Sequence, residues 1–410
     1  MSTLAAAALA CCAQTYPARQ AVPLPDPAPM TVPRLQPPAQ EFGYNHDMDI
    51  CSPWNPDKNC GMRTSIYPMM REAGMRWQRY NLYWNQVQPT PDTFDWSMPD
   101  EAIRLAAEQG IETYMSITSA PAWATGGQPW HEAFHCMVKP WATPEEKEKY
   151  SAHGGFLFDV PECANPAPID KKAAVTFLEA AIRRYNGKNG LPEVKYFGGS
   201  NEPSNEFFWP PRHLHHNLPP DQQLDELYDW ILKPLYDAAK RIELEQGRVI
   251  NTVGPDENNT VYFEAFLKLE ERRGRVFDVL SVHSYGRTPT KQEDIPLTLV
   301  DIVWQLDKDF LRCSRLYGKG RKFWITESGF RFDAPVPEID GLALQARVLT
   351  DIIDVVRARP EINVFFLYRA AENKDPWSPG RTLPDTLGLI DGDTPRPAYY
   401  AVKDAILKRR

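Results

Sequence analysis

Positive charge is in short supply: 46 Lys and Arg face 54 Asp and Glu in 410 residues, a formal charge of −8 with His neutral. That balance argues against a nucleic-acid partner, because phosphate backbones are held chiefly by basic clusters. The apolar run at the start, Leu4 to Ala10, is seven residues long, and a bilayer span needs about 20. No Cys-x-x-Cys pair accompanies a His-x-x-x-His, so a zinc site is weakly supported. Glycine is sparse beside proline, 23 against 39. Proline at that density would break helix and strand interiors unless it sits in loops.

What remains is ordinary globular material, 42% hydrophobic, 24% charged and 11% aromatic, which excludes disorder of the whole chain. The length suits two or three domains of about 100–200 residues, or one α/β barrel. Residues 1–15 read as a signal-like or lipoprotein-like remnant: the apolar run ends at Cys11-Cys12, either of them a lipidation candidate, but lacks a basic flank. A frayed Ala-rich start is the bland alternative. Residues 16–40, with Pro17, Pro23, Pro25, Pro27, Pro29, Pro33, Pro37 and Pro38, read as an extended linker. The expectation is a secreted or envelope protein, attached to a membrane only by N-terminal lipidation. Cys51 with Cys60, and Cys136 with Cys163, suit disulfides in an oxidising compartment, with Cys313 left free; buried thiols are the alternative.

From residue 41 to 410 apolar runs alternate with amphipathic ones. Strands are expected at Phe42 to His46, Met75 to Leu82, Ile111 to Ile117, Glu193 to Phe197, Arg248 to Val253, Val276 to His283, Lys322 to Thr326 and Ile362 to Tyr368. Helical patterns separate them, among them Asp100 to Gln109, Lys171 to Tyr185, Gln222 to Glu245, Val261 to Arg272, Leu299 to Tyr317 and Leu342 to Arg357. Eight strand-then-helix units predict a single-domain (β/α)8 TIM barrel, with a long insertion after strand three, Ala120 to Ile169. An open doubly wound sheet would need a Gly-rich turn after the first strand, and Tyr44-Asn-His-Asp-Met-Asp has none.

Barrel chemistry sits at the C-terminal strand ends. The fourth strand runs into Asn201-Glu202-Pro203 and the seventh into Thr326-Glu327-Ser328. Two carboxyl groups flanking an anomeric carbon are what glycosidic cleavage requires, one to protonate the departing oxygen and one to attack or to activate water. Each Glu alone reads as an exposed loop carboxylate; their joint position makes Glu202 and Glu327 the catalytic candidates. Arg79 and Tyr285 are candidate donors to one carboxylate, His283 a residue that could orient the acid, and His46 a rim donor. Trp123, Trp130, Trp141, Phe207, Phe208, Trp209, Tyr368 and Trp377 fall in post-strand loops where aromatics can stack on sugar faces, with Trp209 and Tyr368 foremost. His213-Leu-His215-His216 lacks a neighbouring carboxylate or thiol at ligand spacing, so it reads as a solvated loop.

The segments Asn201-Glu202-Pro203-Ser-Asn-Glu-Phe-Phe-Trp209 and Trp324-Ile-Thr-Glu327-Ser-Gly resemble the two active-site signatures of clan A retaining glycoside hydrolases. Within the clan, Arg79-Tyr-Asn-Leu-Tyr-Trp84, Ala120-Pro-Ala-Trp123 and Gly388-Leu389 with Pro395-Arg-Pro-Ala-Tyr399 look most like the family 39 group. Ser204 departs from the pattern, standing where many members carry a second Asn, and the Cys136 to Cys163 insertion has no counterpart we can place. The resemblance implies a retaining hydrolase acting on β-O-glycosidic bonds of an oligo- or polysaccharide by double displacement, with no cofactor and no metal. Glu202 would be acid/base, Glu327 nucleophile, and Asn201 a partner of the sugar 2-hydroxyl. A transglycosylase would share every one of these residues, and a non-catalytic carbohydrate-binding barrel would not need both carboxylates.

Overall fold

In a computed structural model, the described residues are 40–46, 64–118, 120–124, 170–204, 218–332, 336, 339–371 and 387–407. The remnant at 1–15, the linker up to 39, Cys51, Cys60, Cys136, Cys163, most of the third-strand insertion and the 213–216 histidines lie outside them. Cys313 is free and buried, as expected.

Eight parallel strands close a barrel in sequence order. They are β1 Glu41–His46, β2 Trp77–Tyr83, β3 Glu112–Thr118, β4 Tyr196–Gly198, β5 Asn251–Glu257, β6 Val279–His283, β7 Lys322–Ser328 and β8 Ile362–Leu367. Helices pack outside, the longer being α1 Ser97–Glu108, α2 Lys171–Arg184, α3 Lys233–Gln246, α4 Thr260–Arg273, α5 Gly341–Arg357 and α6 Pro397–Leu407. The sequence supplies their ends. Asp170, Asn259 and Asp340 accept backbone N–H bonds at the starts of α2, α4 and α5, and Gly247 closes α3 at φ 63°, where glycine pays no Cβ penalty. Two expected helices are interrupted: wide π turns at Tyr228–Leu232 and Gln305–Phe310 divide the Gln222 and Leu299 segments.

Alternation along the strands sorts side chains between lumen and outer layer. The lower lumen is filled by Trp77, Tyr114, Val253, Val279, Trp324, Val364 and Phe366, with Trp77 and Trp324 edge to face at 5.1 Å. Gly198 makes room there: a Cβ on it would lie 2.2 Å from the Tyr114 hydroxyl. Above this plug the lumen turns polar. In β1, Asn45 faces inward while Phe42 and His46 face the helices, Phe42 against Phe365 and His46 against Tyr67. Near the top of the barrel the β6–β7 register shifts at Val282/His283, and the β7–β8 register between Ile325 and Ser328. Such irregularities re-aim side chains, and here Thr326 and Glu327 both reach the polar centre.

Candidate active site

Glu202 follows β4 and Glu327 lies in β7, and both meet at the C-terminal mouth. One carboxylate oxygen of each, with a His283 ring nitrogen, lie within 4.8 Å of one another. His283 Nδ1 is 2.8 Å from Glu202 Oε1 and 3.5 Å from Glu327 Oε2. Burial pulls the imidazole pKa down, but the Glu327 charge and the hydrogen bond to Glu202 outweigh it, so His283 titrates above its ordinary value.

Both oxygens of Glu327 are engaged. Arg79 Nη1 donates to Oε1 at 2.5 Å and the Tyr285 hydroxyl to Oε2 at 3.0 Å. Burial, then the Glu327 charge, push the Tyr285 phenol well above its ordinary value, so it stays a donor throughout the neutral range. Arg79 is fully buried and also donates to Asn45 Oδ1, Asn201 Oδ1 and Asp256 Oδ2 at 3.0, 2.6 and 3.0 Å. Asp256 accepts further bonds from Tyr114 and Thr326, each at 2.7 Å. Burial, the largest single influence, would raise the Asp256 carboxyl; the Arg79 guanidinium, the His283 charge and the Ser281 and Tyr114 hydrogen bonds together outweigh it and hold the group below its usual range. The trio Glu202, His283 and Glu327 has the spacing of a metal site, but the Arg79 cation already sits on Glu327, and a second cation there would be repelled.

The sequence therefore locates Glu202, Glu327, Asn201, Arg79, His283 and Tyr285 in one cluster. Tyr368, half-buried immediately after β8, is close enough for its hydroxyl to raise the Tyr285 pKa, and the Arg369 guanidinium lies 5.2 Å from its ring centre. One expectation is corrected. His46 is not a rim donor: it is 2% exposed, stacked on Tyr80 and bonded to Tyr67 on the helix side of β1, because the inward position there belongs to Asn45. Trp123 is half-buried. It packs edge-on against Trp84, and its indole N–H is spent on Gln88 O at 3.0 Å. Trp209 lies outside the described residues, as do Trp130, Trp141, Phe207, Phe208 and Trp377.

Sequence reasoning missed Asn45, Tyr114, Asp256 and Glu257. The last two were lost because Gly254-Pro255 reads as a turn that ends the strand at Val253, whereas β5 continues to Glu257 through a cis Gly254–Pro255 bond.

A parallel eight-stranded barrel closed in sequence order, with two carboxyl groups facing each other at its C-terminal mouth, defines the architectural class: a (β/α)8 TIM barrel. Comparisons agree on that architecture. The glycoside hydrolase 42 family model, described as beta-galactosidase, matches residues 55–132, the segment that carries β2, Arg79 and β3. No curated protein matches the chain in sequence. Among solved structures, a family 39 glycoside hydrolase from Bacteroides cellulosilyticus WH2 aligns at TM-score 0.54 and 17% identity, over 90% of this chain and 64% of that one. A monomeric beta-xylosidase from Caulobacter crescentus CB15 aligns at 0.56 and 14%, over 90% and 69%. An exo-beta-1,4-mannosidase from an Opitutaceae bacterium, strain TAV5, aligns at 0.54 and 14%, over 90% and 59%. The chain thus spans less than two thirds of the first of these, and its likeness to all three is one of fold.

Proposed function

We propose that the protein is a retaining glycoside hydrolase that cleaves β-O-glycosidic bonds by double displacement. The observation that carries this reading is the approach of the Glu202 and Glu327 carboxylate oxygens to within 4.8 Å. Retaining enzymes hold the two groups about 5–5.5 Å apart and inverting ones roughly 6.5–9.5 Å. The family match and the glycosidase neighbours support the same chemistry.

In the first step Glu327 attacks the anomeric carbon while Glu202 delivers its proton to the departing oxygen, giving a glycosyl ester and a free alcohol. In the second, Glu202 takes a proton from water, and the hydroxide formed displaces Glu327. Arg79 and Tyr285 orient the nucleophile from both of its oxygens, and His283 orients the acid. Asn201, its carbonyl oxygen spent on Arg79, keeps an amide N–H pair for the sugar 2-hydroxyl. The Leu4 to Ala10 run ahead of the proline-rich stretch supports export to the cell envelope.

The test is turnover of aryl β-glycosides, including the xylosides, mannosides and galactosides that the matched proteins' names suggest, with the product anomer followed by proton NMR. Release of the β-anomer first, with a 2-fluorosugar trapped on Glu327, is the expected result. The α-anomer first would overturn the mechanism. No turnover on any sugar, with no trapped adduct, would overturn the enzyme reading.

A further inference from the structure

Asp256 and Glu257, consecutive at the top of β5, face different parts of the site. Asp256 lies under Arg79 and so under the nucleophile side. Glu257, with no exposed surface, turns to the loop that carries Glu202. Its Oε2 accepts from Ser204 N at 2.9 Å; its Oε1 accepts from Ser204 Oγ at 2.5 Å and Asn259 N at 2.8 Å. Asn259 is the N-cap of α4, so one carboxylate ties the residue two positions after Glu202 to the start of a rigid helix. Backbone bonds complete the tie: Glu202 N donates to Asp256 O at 2.9 Å, and Ser200 Oγ to Pro255 O at 2.8 Å.

The geometry shows why such a tie is needed. Glu202 has φ 42° and Asp256 φ 55°, both in the left-handed region that a Cβ disfavours. Positions of that kind are strained and persist only where surroundings over-determine them. The β5–β6 register also shifts between Pro255 and Glu257, which is what points neighbouring residues to different partners. Glu257 touches neither reacting carboxylate, and the chemistry described above makes no use of it.

We infer that Glu257 is a positioning residue for the acid/base: through Ser204 it fixes the height and angle of Glu202, while Asp256 does the equivalent for Glu327 through Arg79. The inference rests on the glycosidase reading and adds a residue to it. A side chain of the same shape that cannot offer two acceptor oxygens should loosen the loop. Gln keeps one acceptor and turns an N–H toward a second donor, so at least one of the three bonds is lost.

The experiment compares wild type, Glu257→Gln and Ser204→Ala at about pH 8, where Glu257 is ionised and both of its oxygens accept, on aryl β-glycosides of graded leaving-group acidity, reading kcat/KM. Removing a general acid outright costs about 10²–10⁴-fold; displacing it should cost about tenfold on the poorest leaving groups and under about threefold on dinitrophenolate, which departs unprotonated. The expected signature is therefore a steeper dependence on leaving-group pKa in Glu257→Gln, with Ser204→Ala, which keeps its backbone bond, intermediate. A uniform loss across leaving groups, or no change, overturns the inference. If Glu257→Gln does not fold, an unchanged slope in Ser204→Ala overturns it alone. Absence of wild-type turnover would instead be failure of the glycosidase reading.

Discussion

Arg79 and Asp256 form an ion pair in which neither side chain has any exposed surface, Nη2 to Oδ2 at 3.0 Å. Two buried opposite charges only repay their desolvation when the remaining lone pairs and protons are also bonded, and here Tyr114, Thr326, Asn45 and Asn201 provide those bonds. Breaking the pair from the acid side removes one of the two anions that the guanidinium pairs with among the described residues and leaves Glu327 as the other. Asp256→Ala should lower stability by about 3 kcal/mol or more, and Asp256→Asn by less, because it keeps an acceptor. Denaturant melts check this; a loss under about 1 kcal/mol in Asp256→Ala would mean the pair contributes little beyond a hydrophobic replacement.

Glu202→Ala separates the two roles assigned to one residue. On dinitrophenyl glycosides kcat/KM should stay within about tenfold of wild type, whereas on alkyl or phenyl glycosides it should fall about 10²–10⁴-fold. Deglycosylation loses its base in both cases, so azide should restore kcat and yield a β-glycosyl azide. A variant equally crippled on every leaving group, with no response to azide, would remove Glu202 from the acid/base role.

The sequence was most legible where local pattern and tertiary position agree. The eight strands, and the two Glu residues at the ends of strands four and seven, follow from alternation and barrel register alone. Strand ends were less legible: Pro255 hid the last part of β5, and with it Asp256 and Glu257. Facing was harder still. His46 and Asn45 are adjacent, and a one-residue difference decides between the lumen and the helix layer. The inward choice falls to Asn45 because Gly43, two residues earlier, sits against Trp77 and Phe366 in the lumen, where a Cβ would come within 2.7–2.8 Å of both.

Tyr285→Phe deletes the hydroxyl that reaches Glu327 Oε2 and little else. A hydrogen bond to a charged group is worth about 1.5–3 kcal/mol, so kcat/KM should fall about tenfold to a hundredfold, alike on good and poor leaving groups, because the nucleophile rather than the acid is disturbed. A loss confined to poor leaving groups would instead assign Tyr285 to Glu202.

His46→Ala tests the corrected placement. With His46 stacked on Tyr80 and bonded to Tyr67 behind the sheet, the substitution should open a cavity and cost about 2–4 kcal/mol. Catalysis by the folded fraction should change less than about twofold. A tenfold loss of kcat/KM in protein shown to be folded would return His46 to the site.

Glu257 should leave its mark on stability as well. Burial pushes its carboxyl from the ordinary 4.5 up to about 7, against the pull of the Ser204 and Asn259 donors. Between those two pH values the unfolded chain has released the proton and the native protein still holds it, so this group's contribution to stability falls as pH rises through the window. Its cost is complete above about pH 7 and vanishes below 4.5. Asp256 behaves in the opposite sense: its folded pKa is lowered, and its contribution is lost as pH falls through that value. Gln at position 257 does not titrate, so the difference in Tm between Glu257→Gln and wild type isolates the one group while Asp256 cancels. That difference should move in the variant's favour from about pH 5 to about pH 8, even though the variant loses a bond to the Ser204 loop. A difference that stays flat over the range would show that Glu257 ionises in the folded protein as it does in water, and that its three donors, not burial, set its charge.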